Sequence, residues 1–265
     1  MLGFQLFLHS IRMILGNLGS ALRITIPALV WNTLMTVWMI SQFGTAFVSG
    51  EWASSTPVGQ MPDVPDGFWS FLPVAAIGGI ITVLWTATAW HRYILLEEHP
   101  GALGPRFNGG AIGRYLVSGI ILSLAILGAA LIIGFVGSLI IAVFAMIGVP
   151  LFVGVALTGL LFYAPVVIIF YRISPLLPSA AIGERMSIGQ AFDATRGSNI
   201  TMLVLAIVTI IASFVLILPA GVLTETAPVI AIVFQIILQW IALIFGISIM
   251  TTIYGHFVEG RDLNA

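Results

Sequence analysis

Lysine and cysteine are both absent from the 265 residues, and charged side chains of any kind make up only 7%. Without cysteine there is no disulfide, no thiolate nucleophile and no Cys-ligated zinc or iron–sulfur site. The shortage of charge excludes more. A soluble domain covers its surface with about one quarter charged residues, so a chain at 7%, with 60% apolar residues, must be solvated by lipid. The net charge of −1 supplies no basic field along which nucleic acid could lie, so none is expected as a partner. Also missing are a G-x-S-x-G elbow, a Gly-rich loop ending in Lys-Ser/Thr, an HExxH pair and a dinucleotide fingerprint. No cofactor is therefore expected.

What is present is length of apolar chain. The mean hydropathy is +1.15, and a spanning helix needs about 20 apolar residues. Six such stretches can be drawn, at about 24–48, 68–90, 115–147, 151–171, 200–223 and 229–256. Residues 115–171 carry no charge at all, too long a run for one span and suited to two. Gly148-Val149-Pro150 is the expected turn, because proline ends a helix and biases the residue before it toward extended geometry. Before the first span, residues 1–23 place Phe4, Phe7, Leu8, Ile11, Leu15 and Leu18 at helical spacing opposite Gln5, His9, Arg12 and Asn17. This reads as a helix lying in the membrane interface rather than as a signal peptide, since polar residues interrupt any uniform apolar run.

The fold expected is all-α: a polytopic membrane protein of one domain, residues 1–265, with six transmembrane helices in three hairpins and amphipathic helices on the cytoplasmic side. Residues 49–67, holding Glu51, Asp63 and Asp66 with no basic residue, form the external loop. With a cytoplasmic N-terminus, Arg12, Arg23, Arg92, Arg106, Arg114, Arg172, Arg185, Arg196 and Arg261 all fall on the cytoplasmic side, as do both termini. That asymmetry sets the expected orientation. Each hairpin is preceded there by a polar or amphipathic stretch, 1–23, 97–114 or 172–198, which suggests a weak threefold repeat.

No charged residue lies near the middle of a span, which argues against a proton relay or an ion-coupled pump. Amides and hydroxyls do enter the spans. Gln235 and Gln239 share a face, where they could bond Asn32 or a backbone carbonyl; a substrate pocket is the other reading of these three. Ala130, Gly134, Ser138 and Ala142 recur at four-residue steps and predict close packing against another span, or else self-association. The histidines His9, His91, His99 and His256 fall on the cytoplasmic side without ligand spacing, so no metal site is expected. His91 and His256 read as polar span ends where imidazole reaches water. An intramembrane enzyme would need His91, Glu97, Glu98 and His256 to converge.

The most informative stretch is 172–198. Pro175 and Pro178 end the fourth span and should redirect the chain along the membrane surface. Ser187 with Gln190 fits a capping box for a short helix with Ile188, Ala191 and Phe192 on its less polar face, stopped by Gly197. The segment is read as an elbow between hairpins, or as an inner-leaflet docking surface carried by Arg172, Ser187, Phe192 and Arg196. Arg172, Leu176-Leu177-Pro178, Ala180, Gly183, Ser187, Ala191-Phe192 and Thr195-Arg196-Gly197, with an echo at Trp90-His91-Arg92-Tyr93, resemble a loose group of bacterial six-helix inner-membrane proteins. These are similar to the membrane domain fused to some glycerophosphodiester phosphodiesterases. The resemblance covers about a tenth of the chain and implies a stand-alone membrane module, because the catalytic barrel of those enzymes is missing.

Two functions compete. One is a non-enzymatic component that organises, assembles or accompanies another membrane complex, with membrane lipid and another membrane protein as partners. The alternative is a permease or exporter for a lipid or other apolar solute.

Overall fold

The structure, a computed structural model, describes residues 1–44, 64–102 and 104–263. The described residues form helices and no strand: α1 (Leu2–Gly16), α2 (Leu18–Phe43), α3 (Phe68–Leu96), α4 (Gly109–Met146), α5 (Leu151–Ile173), α6 (Leu176–Ile182), α7 (Ile188–Ala194), α8 (Asn199–Thr226) and α9 (Pro228–Phe257). Six are long and apolar enough to cross a membrane. They pair in sequence as three hairpins, α2 with α3, α4 with α5 and α8 with α9. The protein is an all-α polytopic membrane protein. Most of the external loop assigned to 49–67 lies outside the described residues.

Each spanning helix is nearly continuous with its apolar run, and at the arginine-bearing end the helices extend past the sequence estimate, whereas α2 stops at Phe43, short of the 48 drawn for the first span. Span one begins at Leu18 and span two runs on to Leu96, because residues at the arginine-bearing end still find helical hydrogen bonds and partners. α4, at 38 residues, is about 57 Å long at 1.5 Å per residue. It outreaches a hydrocarbon core of about 30 Å, so it tilts or projects into the interface. Asn108 caps it, its side chain accepting from the Ala111 amide at 3.0 Å. The turn into α5 uses Gly148 at φ 79°, a left-handed conformation that glycine adopts without a Cβ clash, and Pro150 precedes the first residue of α5.

Buried residues concentrate at the arginine-bearing end. Among the described residues in the far halves of the six spans, only Phe71, Gly137, Gly154 and Thr158 are buried. Two adjoining clusters make the core. One gathers Ile14, Ile24, Trp90, Tyr115, Ile173, Leu176 and Ile244; the other gathers Leu6, Met202, Leu205, Ile249 and Ile253.

Three local expectations are corrected here. α1 docks through Gly3, Leu6, Phe7, Ser10 and Ile14, while Phe4 and Leu15 are exposed. Gly3 forces this choice: a Cβ there would stand 2.4 Å from the Thr201 carbonyl oxygen, so only glycine lets α1 cross α8 so closely. α1 is thus apolar on two sides, one packed on the bundle and one open to lipid.

The second correction concerns 172–198. The chain does not run along the surface after Pro175: Leu176 through Ala181 are buried, and α6 is wedged among α3, α4 and α9. Pro178 is no obstacle, since it sits in the first turn of α6, where backbone N–H groups have no intrahelical acceptor. The third concerns α4. Gly134, Ser138 and Ala142 are exposed, and a Cβ at Gly134 would meet nothing within 4 Å. The packed face is rotated to Gly137, where a Cβ would come within 3.1 Å of Thr158 and 3.2 Å of Phe162. Small residues permit close approach but do not compel it, and α5 follows the glycine whose neighbours interlock.

Candidate functional site

The sequence Trp90-His91-Arg92-Tyr93 occupies one turn of α3, so its four side chains radiate in different directions. Trp90 is fully buried in the larger cluster. His91 is fully buried too, which corrects its reading as a span end reaching water. Its Nδ1 lies 2.8 Å from the Thr251 hydroxyl of α9 and its Nε2 3.3 Å from the Tyr115 hydroxyl of α4. Thr251 already donates to the Ile247 carbonyl at 2.9 Å, so it accepts from Nδ1–H, which leaves Nε2 to accept from Tyr115. Both ring nitrogens are occupied and no carboxylate touches them. Tyr93 donates to the Asn17 side chain at 2.7 Å, and this residue separates α1 from α2.

Arg92 pairs with Glu98 at 2.5 Å and donates to the Ala181 carbonyl at 3.1 Å. Arg114 donates to the neighbouring Ala180 carbonyl at 3.3 Å. These are among the last carbonyls of α6, at the negative end of its dipole, and Ala180 accepts from the Gly183 amide at 3.3 Å as well. The same device recurs. Arg172 stacks on Phe192 at 4.7 Å and donates to its carbonyl at 2.7 Å, near the end of α7, and Arg261 donates to the Ile94 and Leu95 carbonyls at the end of α3. The residues assigned to inner-leaflet docking are therefore partly engaged within the chain. Ser187 and Gln190 form the reciprocal capping box, and Arg196, 84% exposed, contacts Asp193 at 3.1 Å.

Glu97, Glu98, His91 and His256 each take a separate place. Glu97 ends α3 at φ 57°, Glu98 faces Arg92, and His256 donates to the Arg261 carbonyl at 3.1 Å. Among the described residues no cluster of metal-ligating side chains forms.

A cleft with a volume of about 450 Å³ lies elsewhere, between α2, α3 and α9. Asn32 Nδ2 donates to the Gln239 Oε1 across it, joining α2 to α9. Gln235, one turn away, and Thr36 also line it. Trp31 donates from Nε1 to the Ala75 carbonyl at 3.2 Å and lies flat on Gly78, where a Cβ would be 2.0 Å from its ring. Next to it Gly79 is open, with Trp31 Nε1 the nearest atom to a Cβ at 3.9 Å. Thr82 lines the cleft as well. The rest of the described wall is apolar, including Met35, Met39, Phe71 and Ile236, and no ionisable side chain lines the cleft among the described residues. Such a wall can hydrogen-bond an occupant and pack against it.

Asn32, Gln235 and Gln239, singled out by residue type and spacing, are thus together at one cleft. Trp31, Gly78 and Gly79 were not singled out; the Gly-Gly pair inside an apolar helix was the available signal of a close approach. A second, smaller groove of about 270 Å³, between α1, α8 and α9, is lined by Phe7, Leu216, Leu238 and Phe245 and is almost wholly apolar. No protein-family model, curated protein or solved structure matches this chain.

Proposed function

We propose that the protein is a non-enzymatic multi-pass component of a bacterial inner membrane that accompanies another membrane protein or complex. Its termini and arginine-bearing end lie in the cytoplasm, following the excess of arginine on that side. The observation that carries this reading is the packing asymmetry. The spans are locked together at the arginine-bearing end and present large apolar side chains outward along their far halves, Phe135 at 66% and Phe214 at 64% exposure among them. In lipid, helices associate through shape and hydrogen bonds rather than through exclusion of water, so such flanks are available to another span. The occupied ring nitrogens of His91 and the separate placement of Glu97, Glu98 and His256 support the non-enzymatic part. The likeness to the phosphodiesterase-linked membrane domain belongs to this proposal as a likeness of layout, without a reaction.

Photo-crosslinking in intact cells from residues 135 and 214, followed by mass spectrometry, tests the partner. One dominant protein adduct is expected from the far-half positions, and lipid adducts alone would overturn the reading. Orientation has a clean test because the chain has no cysteine. Single cysteines beside Arg106 or Arg185 should resist a membrane-impermeant maleimide added from the periplasm, and modification there would reverse the topology.

A second reading, passage or binding of a lipid-like solute, is favoured by the cleft between α2, α3 and α9.

A further inference from the structure

We propose that this cleft is a binding site for an uncharged lipid whose polar end bears a hydroxyl group, such as a diacylglycerol, with its apolar chains following the methionine and aromatic wall. The inference goes beyond the accompanying role above, and the two fail separately: absence of a protein adduct at residues 135 and 214 would leave it intact.

The argument begins with hydrogen-bond capacity that the chain leaves unused. Gln235 makes no side-chain hydrogen bond among the described residues, nor does Thr36, although both line the cleft on apolar spans. Gln239 accepts from Asn32 through its oxygen, which leaves its own amide N–H groups to donate, and leaves Asn32 Oδ1 to accept. A primary amide facing hydrocarbon without a hydrogen-bond partner is costly, so these groups favour an occupant that hydrogen-bonds.

The chemistry of the occupant follows from what surrounds it. With no ionisable residue in the lining among the described residues, a phosphate or ammonium headgroup would be held there without a counter-charge, which disfavours the common phospholipids. Free donors and free acceptors lie within one turn of each other, and a hydroxyl uses both kinds, whereas a quinone carbonyl can only accept. Met35 and Met39 on α2 offer an adaptable apolar wall for a chain of no fixed shape, and Phe71 and Ile236 continue it. The volume of about 450 Å³ lies in the range of ligand sites and would hold the polar end with the first part of the chains. The groove between α1, α8 and α9 lacks this polar set and serves as the internal control for unspecific lipid contact.

The full chain in phosphatidylcholine nanodiscs is photolabelled with a diazirine-bearing diacylglycerol, with unlabelled diacylglycerol, ubiquinone or phosphatidylglycerol as competitor. Label is expected on peptides covering residues 28–39 or 232–243, competed by diacylglycerol alone. Gln235→Leu removes a side chain without an internal partner, so it should keep the melting temperature while lowering labelling about tenfold. Gly79→Leu should have a similar effect by filling the cleft while leaving every amide in place. The proposal is overturned if both variants label like the parent, if ubiquinone or phosphatidylglycerol competes as well as diacylglycerol, or if label falls mainly on the apolar groove. Should either variant melt well below the parent, the competition pattern on the unaltered chain decides alone.

Discussion

At the arginine-bearing end, Trp90 is completely buried in a cluster that draws side chains from α1, α2, α4 and α6, whereas in the far half Ile132, Phe135 and Phe214 stand more than three-fifths exposed. The same apolar composition serves both regions. What differs is what fills the space between the spans. The near end receives α1, α6 and α7, connecting segments that return into or across the bundle, together with hydrogen bonds such as Trp240 Nε1 to the Thr25 hydroxyl at 2.8 Å and Ser10 to Thr252 at 2.9 Å. Helices in lipid are held by such contacts, since lipid tails solvate a leucine as well as another helix does. The far half has fewer of them, Asn32 to Gln239 and Trp31 to the Ala75 carbonyl among them, and many of its large apolar side chains face outward.

The sharpest way to break this contrast is to empty the near core. Trp90→Ala should lower stability by about 3–5 kcal/mol, the usual cost of a large buried aromatic, while Phe135→Ala should change it by no more than about 0.5 kcal/mol. Thermal unfolding in one detergent, followed by size-exclusion fluorescence, measures both; equal losses would mean that the two halves are one cooperative core. Next comes the buried polar link. His91→Ala leaves Thr251 and Tyr115 without their shared partner and should cost about 1–3 kcal/mol, and Thr251→Val should show a similar loss in the same assay.

A test within the far half sharpens the comparison further. Gly78→Ala drives a methyl group into the Trp31 ring and should destabilise by about 1–3 kcal/mol. Gly134→Ala meets open space and should stabilise by up to about 1 kcal/mol through helix propensity. If Gly78→Ala were neutral, the α2–α3 contact would be as loose as the rest of the far half. The smallest expected effect is Ser187→Ala, which removes the α7 cap and should cost about 1 kcal/mol. Faster amide hydrogen exchange at the Gln190 amide, which that serine accepts from, would report it locally.

Much of this was legible without coordinates, for reasons that differ from residue to residue. The capping box at Ser187 and Gln190 and the turn at Gly148 are local, so neighbouring residues suffice to define them. Asn32, Gln235 and Gln239 could be nominated because amides are conspicuous on apolar spans, although 207 residues separate Asn32 from Gln239. The stripe through Gly134 misled because spacing specifies a face and not the helix that meets it. His91 misled because the end of an apolar run looks like the membrane surface, whereas α4 and α9 bring Tyr115 and Thr251 onto it from distant parts of the chain.

Composition and hydropathy alone determined the solvent, the number of spans and their three-hairpin order, because transfer of backbone and side chains into hydrocarbon permits few other solutions. The gathering of arginines toward one end is equally a property of the order of residues. Tertiary structure decided what those arginines do, capping the carbonyls of α3, α6 and α7, and it decided that α6 fills the bundle rather than lying on it. It also decided that three amides face one cleft. These outcomes depend on which helix faces which, a choice made by interlocking shapes and shared hydrogen bonds between segments far apart in the chain.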